Sequence, residues 1–254
     1  MIIEIIGLPG SGKTTLAKEL ASRTNAILLN GDDVREDLSS DLGFSIDNRI
    51  EQARRIGAVA RLLSKQGYIV IADFVCPTQS ARTAFGKADI VIWMNTIDAG
   101  RYSDTNIIWQ NPAESYVDFT FTKLEDDTKA DTIIKEFDLF DWSAPTTLQL
   151  GRYQPWHEGH QALKQEAHKR TKQVLIGVRN TYGTSEKDPL TYEEVRNRIN
   201  KDSGCLQQDT LVVKLPNITN IVYGRDVGYK IEHVELPPEI QAISATQKRK
   251  ELGI

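Results

Sequence analysis

Short apolar runs separated by amphipathic stretches organise the first part of the chain. Ile2–Ile6 is a nearly continuous β-branched run, which predicts a buried strand. A turn rich in Gly and Pro follows, and Lys13–Ser22 then carries apolar residues at helical spacing. Ile27–Leu29 predicts a second strand, and an apolar stripe over Asn48–Gln66 predicts a long helix that Gly67 ends.

Two further apolar runs, Tyr68–Ala72 and Ile90–Trp93, continue this alternation. Each run is the length of a strand and is apolar throughout. Such strands, alternating with helices, are typical of a parallel sheet that helices cover on both faces. The pattern therefore predicts an α/β fold for this part of the chain.

The periodicity weakens after Arg101 and is interrupted at Asp141–Pro145. Between these points Val117–Thr122 predicts a strand and Lys129–Phe137 predicts a helix. A new strand–turn–helix pattern begins at Thr147. The interruption places a domain boundary near residue 143.

Later in the chain Val174–Val178 and Leu211–Leu215 predict strands, with a helix over Tyr192–Lys201 between them. Thr191 would be the N-cap of this helix, and Glu194 would complete a capping box. We therefore predict two α/β domains, residues 1–142 and residues 143–254. Each is expected to be a parallel sheet with helices on both faces.

Composition then narrows the class of protein. Apolar residues make up 40% and charged residues 26%, which excludes a disordered or fibrous chain. The net charge of −4 argues against avid binding to nucleic acid or to an anionic membrane. No apolar run approaches the ~20 residues of a membrane span, and the N-terminus lacks the pattern of a signal peptide. Cys76 and Cys205 are far apart, so we expect no disulfide framework and predict a cytoplasmic protein.

The turn after the first strand is the first candidate for chemistry. Gly7–Thr14 reads GLPGSGKT, which matches GxxxxGK[ST] between a strand and a helix. In such a loop backbone N–H groups wrap a polyphosphate at the positive end of the helix. Lys13 would reach the β- and γ-phosphates of ATP, and Thr14 would bind Mg²⁺. A glycine-rich turn without a ligand is the alternative. The predicted nucleotide-binding residues are Gly7, Gly10, Ser11, Gly12, Lys13, Thr14 and Thr15.

An acidic cluster follows the second predicted strand, where Asn30–Arg35 reads NGDDVR. The carboxyl ends of parallel strands form the ligand crevice of an open α/β sheet. A carboxylate there can take the proton of an attacking hydroxyl, and Arg35 can hold an anionic acceptor. The alternative is that these Asp residues only cap a helix.

Residues 1–95 resemble adenylylsulfate (APS) kinases. The resemblance is carried by the segments Asn30–Arg35, Leu42–Ser45, Asn48–Arg49, Arg54–Arg55 and Ile71–Pro77. It implies a Mg²⁺-dependent transfer of phosphate from ATP to the hydroxyl of a small molecule, with Lys13 and Asp32 as catalytic residues.

The same resemblance implies an acceptor site. Arg35 and Arg49 would contact the anionic group of the acceptor, Phe44 would stack on its adenine, and Arg82 stands where the family keeps an arginine. The chain also departs from the family, because Gln79 stands at an arginine position and Arg101 is the one candidate for a lid arginine.

A second candidate site follows the strand at Thr147, where Gly151–His160 reads GRYQPWHEGH. The HxGH spacing places two imidazoles, His157 and His160, at a strand-to-helix turn where helix N–H groups also point. Two donors there can stabilise charge on an α-phosphate under attack, and Gly159 would permit close approach of a nucleotide. A zinc pair or chance histidines are the alternatives, although zinc needs a third ligand.

Near the C-terminus Ile243–Arg249 reads ISATQKR, with Ser and Thr at a predicted helix start. Alone this segment could be a simple N-cap. Together with HxGH it is similar to the HxGH/ISxTxxR nucleotidyltransferase superfamily over residues 147–254, and GRYQP is most like nicotinamide-mononucleotide adenylyltransferases. The resemblance implies nucleotide binding by Gly151, Arg152, His157, Gly159, His160, Ser244, Thr246 and Arg249.

In that superfamily these residues grip the triphosphate of ATP or CTP, a phosphate monoester attacks the α-phosphate, and pyrophosphate leaves. His157 and His160 would be catalytic. Between the motifs, Pro216–Tyr229 is predicted to shape the acceptor pocket with Arg225 and Asp226.

We therefore expect a bifunctional enzyme that acts on nucleotides and small molecules, and homo-oligomerisation is compatible with the sequence. One alternative is a genuine adenylylsulfate kinase with an independent adenylyltransferase domain. Another is a nucleotide-binding regulator without turnover. Asp32 and the two histidines argue against the regulator, because binding alone needs no base.

Overall fold

The computed structural model describes residues 1–202, 209–222, 224, 228 and 230–253. Cys205, Arg225 and Asp226 lie outside the described residues. The chain divides into two compact units, Met1–Glu136 and Phe137–Ile254. None of the helices described has the length and apolar character that crossing a membrane requires.

The first unit alternates strands and helices as the apolar pattern predicts. A 3₁₀ turn at Glu114–Tyr116 precedes its last strand. Its elements are β1 (Ile2–Gly7), α1 (Lys13–Thr24), β2 (Ile27–Asn30), α2 (Gly31–Asp37), α3 (Ile46–Lys65), β3 (Val70–Asp73), α4 (Gln79–Phe85), β4 (Ile90–Met94), α5 (Ser103–Ile108), β5 (Phe119–Phe121) and α6 (Lys129–Glu136).

The five strands of this unit form one parallel sheet in the order β2-β3-β1-β4-β5. From β1 to β2 the chain moves toward one edge of the sheet. From β2 through β3 to β4 it moves back toward the opposite edge. Because crossovers between parallel strands are right-handed, α1 lies on one face and α3 and α4 lie on the other. In the sheet Asp73 pairs with both Ile5 and Asn30, so β1, β2 and β3 end at a common edge.

The core on the α3 and α4 face explains why β1 is apolar. Ile2 and Ile6 pack there in one cluster with Ala53 and Ile56 of α3 and with Phe85 of α4. Side chains two apart share a face of a strand. The residue between Ile2 and Ile6 on this face is a glutamate, which the core therefore has to accommodate.

The second unit begins with β6 and carries its own sheet. Its elements are β6 (Thr146–Gly151), α7 (Glu158–Arg170), β7 (Gln173–Arg179), α8 (Tyr192–Asp202), β8 (Thr210–Leu215), α9 (Pro238–Gln241) and α10 (Ala245–Leu252). The strands pair in parallel in the order β6-β7-β8. The predicted capping box of α8 is confirmed. The carboxylate of Glu194 accepts a hydrogen bond from the N–H of Thr191 at 2.8 Å, and the N–H of Glu194 donates to the hydroxyl of Thr191 at 3.3 Å.

Helices on both faces were predicted for this sheet, and α7 and α8 do not follow that prediction. Ala167 of α7 and Val195 of α8 belong to one apolar cluster with Val174 and Ile176 of β7. Both helices therefore lie on the same face. The reason is that the chain crosses this sheet in one direction only, so right-handed crossovers place both helices on one side.

The division between the units falls between Glu136 and Phe137, earlier than the predicted boundary at residue 143. Gln173 at the start of β7 accounts for the difference. Its amide donates to the carbonyl of Asp141 at 2.6 Å and accepts from the N–H of Asp141 at 3.1 Å. These bonds attach the segment before β6 to the second sheet.

Candidate functional site

The loop between β1 and α1 has the backbone that a phosphate cradle needs. Gly10 and Gly12 have φ angles of 97° and 88°, in the left-handed region that glycine adopts without strain. Gly12 is the N-cap of α1 and makes no side-chain cap hydrogen bond. The first N–H groups of α1 therefore have no side-chain cap at this position, as an anion-binding helix end requires.

Four polar side chains converge beside this loop at the carboxyl edge of the sheet. The hydroxyl of Thr14 donates to the carboxylate of Asp73 at 2.7 Å. The amide of Asn30 donates to both oxygens of the same carboxylate at 2.9 and 3.0 Å. The ammonium of Lys13 donates to the carbonyl of Leu8 at 2.9 Å. No sequence motif indicates a role for the side chains of Asp73 and Asn30, although each residue ends an apolar strand at this edge.

Burial shifts the pKa values of two of these side chains, Lys13 and Asp73. It lowers the pKa of Lys13 to about 8, against the opposing effect of Asp73 and Asp32. It raises the pKa of Asp73, while hydrogen bonds from Thr14 and Asn30 oppose the rise. A partly desolvated cation and a buried carboxylate are expected where a nucleotide phosphate and a metal ion bind.

A cavity of about 710 Å³ opens above these residues. That volume suits a nucleotide or a pair of small ligands. Five of the residues predicted to bind a nucleotide line one end of it, namely Gly10, Gly12, Lys13, Thr14 and Thr15. Two other predicted residues, Gly7 and Ser11, do not line it. The side chain of Ser11 is fully buried, and a Cβ on Gly7 would lie 2.6 Å from the carbonyl of Met94, so Gly7 serves packing of the strand.

The other end of the cavity brings together the predicted base and three predicted acceptor residues, Asp32, Arg35, Phe44 and Arg49. Asp32 lies exposed in the first turn of α2, and its N–H donates to the side chain of Asn30 at 3.0 Å. The guanidinium of Arg35 lies 4.6 Å from the ring centre of Phe44 and donates to the carbonyl of Gly43 at 2.7 Å. The ring of Phe44 is 63% exposed and can therefore be covered by a ligand.

Arg49 links this end of the cavity to α5. Its guanidinium donates to Asp104 and to the hydroxyl of Thr105, both at 3.0 Å, and to the carbonyl of Phe44 at 2.9 Å. Asp104, Thr105 and Arg101 also line the cavity. Arg101 is a candidate from the sequence, whereas Asp104 is not, because the weak periodicity after Arg101 does not indicate the short helix α5 that carries Asp104.

The structure does not bring Arg82 to the cavity, in contrast to the predicted acceptor role. Its side chain is 1% exposed and donates to the carbonyl of Gln110. Its guanidinium lies 5.4 Å from the ring centre of Trp109. Arg82 lies in α4 on the side that packs into the core, which explains its burial among these groups.

In the second unit the HxGH turn forms the N-terminus of α7. The Nδ1 atom of His157 accepts from the N–H of Gly159 at 3.1 Å, and the Nδ1 atom of His160 accepts from the N–H of His157 at 3.3 Å. Burial lowers the pKa of His157 and lowers the pKa of His160 to about 3. Both imidazoles are therefore neutral near pH 7, and each carries its proton on Nε2. A Cβ on Gly159 would lie 3.0 Å from the ring of His157, so glycine leaves room for this cap.

The C-terminal motif lies against the same turn. Arg249 of α10 donates to the carbonyl of Gln154 at 2.7 Å and to the hydroxyl of Thr246 at 3.1 Å. Lys248 pairs with Glu158, the first residue of α7, at 3.0 Å. The two motifs are thus adjacent, although about ninety residues separate them in sequence.

The remaining residues predicted for this site lie nearby in different settings. Gly151 ends β6, and Arg152 pairs with Asp188 at 3.1 Å with half of its side chain exposed. Ser244 caps α10 by accepting from the N–H of Gln247 at 3.1 Å. Ser244 also lines a small cavity of about 250 Å³ that includes neither histidine.

Comparison with known proteins concerns the first unit. The adenylylsulphate kinase family model matches residues 1–93. The adenylyl-sulfate kinase of Bacillus pumilus is 48% identical over 86 residues, which are 32% of this chain and 44% of that protein. The bifunctional enzyme NodQ of Rhizobium meliloti is 41% identical over 86 residues, 32% of this chain and 13% of that protein.

A solved structure of the Mycobacterium tuberculosis APS kinase in complex with AMPPNP and APS has a TM-score of 0.46 and 24% identity to this chain, covering 54% of it and 96% of that chain. The chain spans less than half the length of the curated adenylyl-sulfate kinases that it matches. The residues matched by the family model, 1–93, include the glycine-rich loop, Asp73 and the cavity residues Asp32, Arg35, Phe44 and Arg49.

Proposed function

We propose that the first unit is a kinase that transfers the γ-phosphoryl group of ATP to the hydroxyl of a small molecule. The observation that carries this proposal is one cavity with a phosphate loop at one end and an exposed carboxylate, Asp32, at the other. The match of residues 1–93 to the adenylylsulphate kinase family supports it.

The residues beside the loop fit a magnesium ion. The hydroxyl of Thr14 and the carboxylate of Asp73 are oxygen donors 2.7 Å apart, and burial disfavours the Asp73 charge unless a cation compensates it. When bound, Mg²⁺ would neutralise charge on the phosphates of ATP.

The chain's own groups then perform positioning and proton transfer. The N–H groups of the loop and the ammonium of Lys13 hold the phosphates. Asp32 accepts the proton of the attacking hydroxyl, and Arg35 orients the acceptor beside Phe44. Preorganised charge of this kind is the main protein contribution to phosphoryl transfer.

Replacement of the proposed base tests this assignment. Asp32→Asn should lower ADP formation from ATP by ~10²-fold or more in the presence of a hydroxyl acceptor, since a general base contributes that much. The affinity for ATP should change little. The measurement is ADP release with a panel of small alcohols and adenylylsulfate.

Asp33→Asn is the matched control, because Asp33 is the neighbouring exposed carboxylate and does not line the cavity. Its turnover should equal that of the wild type. Equal turnover of Asp32→Asn and the wild type on a confirmed acceptor would refute the role of Asp32.

For the second unit we propose a nucleotidyl transfer, in which AMP or CMP passes from ATP or CTP to a phosphate monoester. The adjacency of Arg249 to the turn that carries His157 and His160 supports this proposal. Both histidines would present Nε2–H donors to the α-phosphate as charge develops there. Arg249 would hold the triphosphate before pyrophosphate leaves.

The second proposal is tested by pyrophosphate release. His160→Ala should slow this release by ~10²–10³-fold with ATP or CTP and a panel of phosphate monoesters, as loss of one preorganised donor does. His233→Ala is the control, because His233 is exposed and outside both motifs. A His160→Ala protein that releases pyrophosphate at the wild-type rate would rule out the assigned role.

The two proposed reactions fit in sequence. The first would make a phosphate monoester, and the second would use a phosphate monoester as nucleophile. A genuine adenylylsulfate kinase joined to an independent adenylyltransferase is the competing arrangement. Product analysis with both triphosphates present distinguishes them, because only the sequential enzyme links a nucleotide to the phosphorylated acceptor. The cytoplasmic location and the absence of nucleic-acid partners stay predictions.

A further inference from the structure

The acceptor end of the cavity in the first unit carries a carboxylate that the family resemblance did not imply. Asp104 accepts from Arg49 at 3.0 Å, and Thr105 beside it accepts from the same guanidinium at 3.0 Å. The side chain of Arg49 is 10% exposed, whereas that of Asp104 is 63% exposed, and both residues line the cavity. One of the two arginines assigned to the acceptor is therefore already paired with an acid.

The charges at this end of the cavity balance. Among the described residues that line this end, Arg35 and Arg49 are positive, and Asp32 and Asp104 are negative. Arg101 also lines the cavity, but its guanidinium lies at the other end, where a Cβ on Gly10 would be 3.5 Å from it. Arg82 does not line the cavity, and its buried guanidinium interacts with Cys76, Tyr116 and Glu4.

Adenylylsulfate carries two negative charges, one on its phosphate and one on its sulfate. A site of balanced charge repels one part of such a dianion about as much as it attracts another. A second negative charge beside Asp104 would also compete with it for Arg49.

We infer that Asp104 determines acceptor selectivity by neutralising Arg49, so that the cavity favours a hydroxyl acceptor with at most one negative charge over a dianion. This inference rests on the proposed kinase function and specifies the class of its acceptor. The carboxylate acts through Arg49, so its removal should restore attraction for dianions without creating a new contact.

Binding of two probes tests the inference without requiring turnover. The full chain, saturated with Mg²⁺ and a non-hydrolysable ATP analogue, is titrated calorimetrically with adenylylsulfate and with adenosine. The probes share adenine and ribose and differ in charge. Asp104→Asn should bind adenylylsulfate about fivefold more tightly than the wild type, the size of one exposed ion pair. Its affinity for adenosine should change less than about twofold.

Two further variants control for charge and for folding. Asp98→Asn removes an exposed carboxylate that does not line the cavity, and it should bind both probes like the wild type. Asp104→Glu keeps the charge and should keep the wild-type preference. The gain of Asp104→Asn should also shrink as salt is raised, because added salt screens the charge.

Several results would overturn the inference. They are an unchanged or weaker affinity of Asp104→Asn for adenylylsulfate, an equal gain for adenosine, or binding of neither probe by any of the proteins. Failure of the kinase proposal is distinguishable. It would appear as an absence of ADP formation with every acceptor, whatever the titrations show.

Discussion

At the scale of the residue, burial shifts the pKa of one carboxyl group outside the cavity, that of Glu4. Glu4 lies in the middle of β1, is fully buried, and accepts a hydrogen bond from the hydroxyl of Tyr116. Burial raises its pKa to about 7, and the nearby groups Tyr116, Cys76 and Arg82 only partly offset that rise. A carboxyl group in the core is therefore held in its protonated form below neutral pH.

This pKa predicts a dependence of stability on pH. Between the usual pKa near 4.5 and the folded value near 7, the folded chain keeps a proton that the unfolded chain has lost. Glu4 should therefore make the free energy of unfolding of the first unit fall as pH rises through this interval, by ~1.4 kcal/mol per pH unit at most, with no further change above it. His160 in the second unit contributes a slope of opposite sign below pH 6.5, because burial lowers its pKa to about 3. Glu4→Gln stays neutral and should remove the slope that Glu4 contributes.

Urea unfolding at several pH values between 5 and 8 measures the effect. Glu114→Gln is the control, since Glu114 is exposed, and it should keep the wild-type slope. A slope shared by the wild type and Glu4→Gln would show that this carboxyl does not control the pH dependence.

At the scale of the element, the close contact between α3 and α4 determines how these two helices pack against the core of the first unit. Gly57 of α3 lies so close to α4 that a Cβ on it would be 2.0 Å from the carbonyl oxygen of Phe85. The neighbour is backbone and cannot move aside as a flexible side chain would. Only glycine therefore permits this approach of the two helices.

Gly57→Ala is expected to destabilise the protein, although alanine favours helices more than glycine does. Forcing the helices apart should cost ~1–3 kcal/mol of unfolding free energy, which exceeds the gain in helix propensity. Chemical denaturation measures the change. Gly224→Ala is the control, because a Cβ there meets nothing within 4 Å. A Gly57→Ala protein as stable as this control would contradict the predicted close contact.

At the scale of the whole molecule, each unit contains the residues of one proposed site. The cavity of the first unit is lined by residues between Pro9 and Thr105, and the two motifs of the second unit lie after Gly151. Each proposed site is built on the parallel sheet of its own unit. The two proposed reactions should therefore respond to substitutions independently.

Lys13→Ala tests that independence. Loss of this ammonium should abolish ADP formation, because Lys13 is proposed to hold the phosphates of ATP in the first unit. Pyrophosphate release by the second unit should continue at the wild-type rate. Both products are measured in one reaction with a hydroxyl acceptor and a phosphate monoester. Equal loss of both activities in a folded Lys13→Ala protein would contradict the assignment of two separate sites.

Local sequence determined the elements of this protein and the loops that carry its motifs. Strands such as β1 and the long helix α3 follow from apolar periodicity, which depends only on neighbours along the chain. The left-handed glycines Gly10 and Gly12 and the capping pair Thr191 and Glu194 are local for the same reason. Apolar periodicity does not predict the short helices α2, α4 and α5, because six or seven residues do not establish a helical period. Of the three, only α2 has a helix start among the interpretations of its sequence, through the capping alternative for Asn30–Arg35.

Tertiary structure decided which of the candidate side chains meet. Asp73 reaches Thr14 because β3 pairs beside β1, and Arg49 reaches Asp104 because α5 borders the cavity, which no local pattern encodes. The same packing buries Arg82 away from the acceptor end. Periodicity reports which face of an element is apolar, whereas the strand order and the direction of each crossover determine which polar groups share an edge of the sheet.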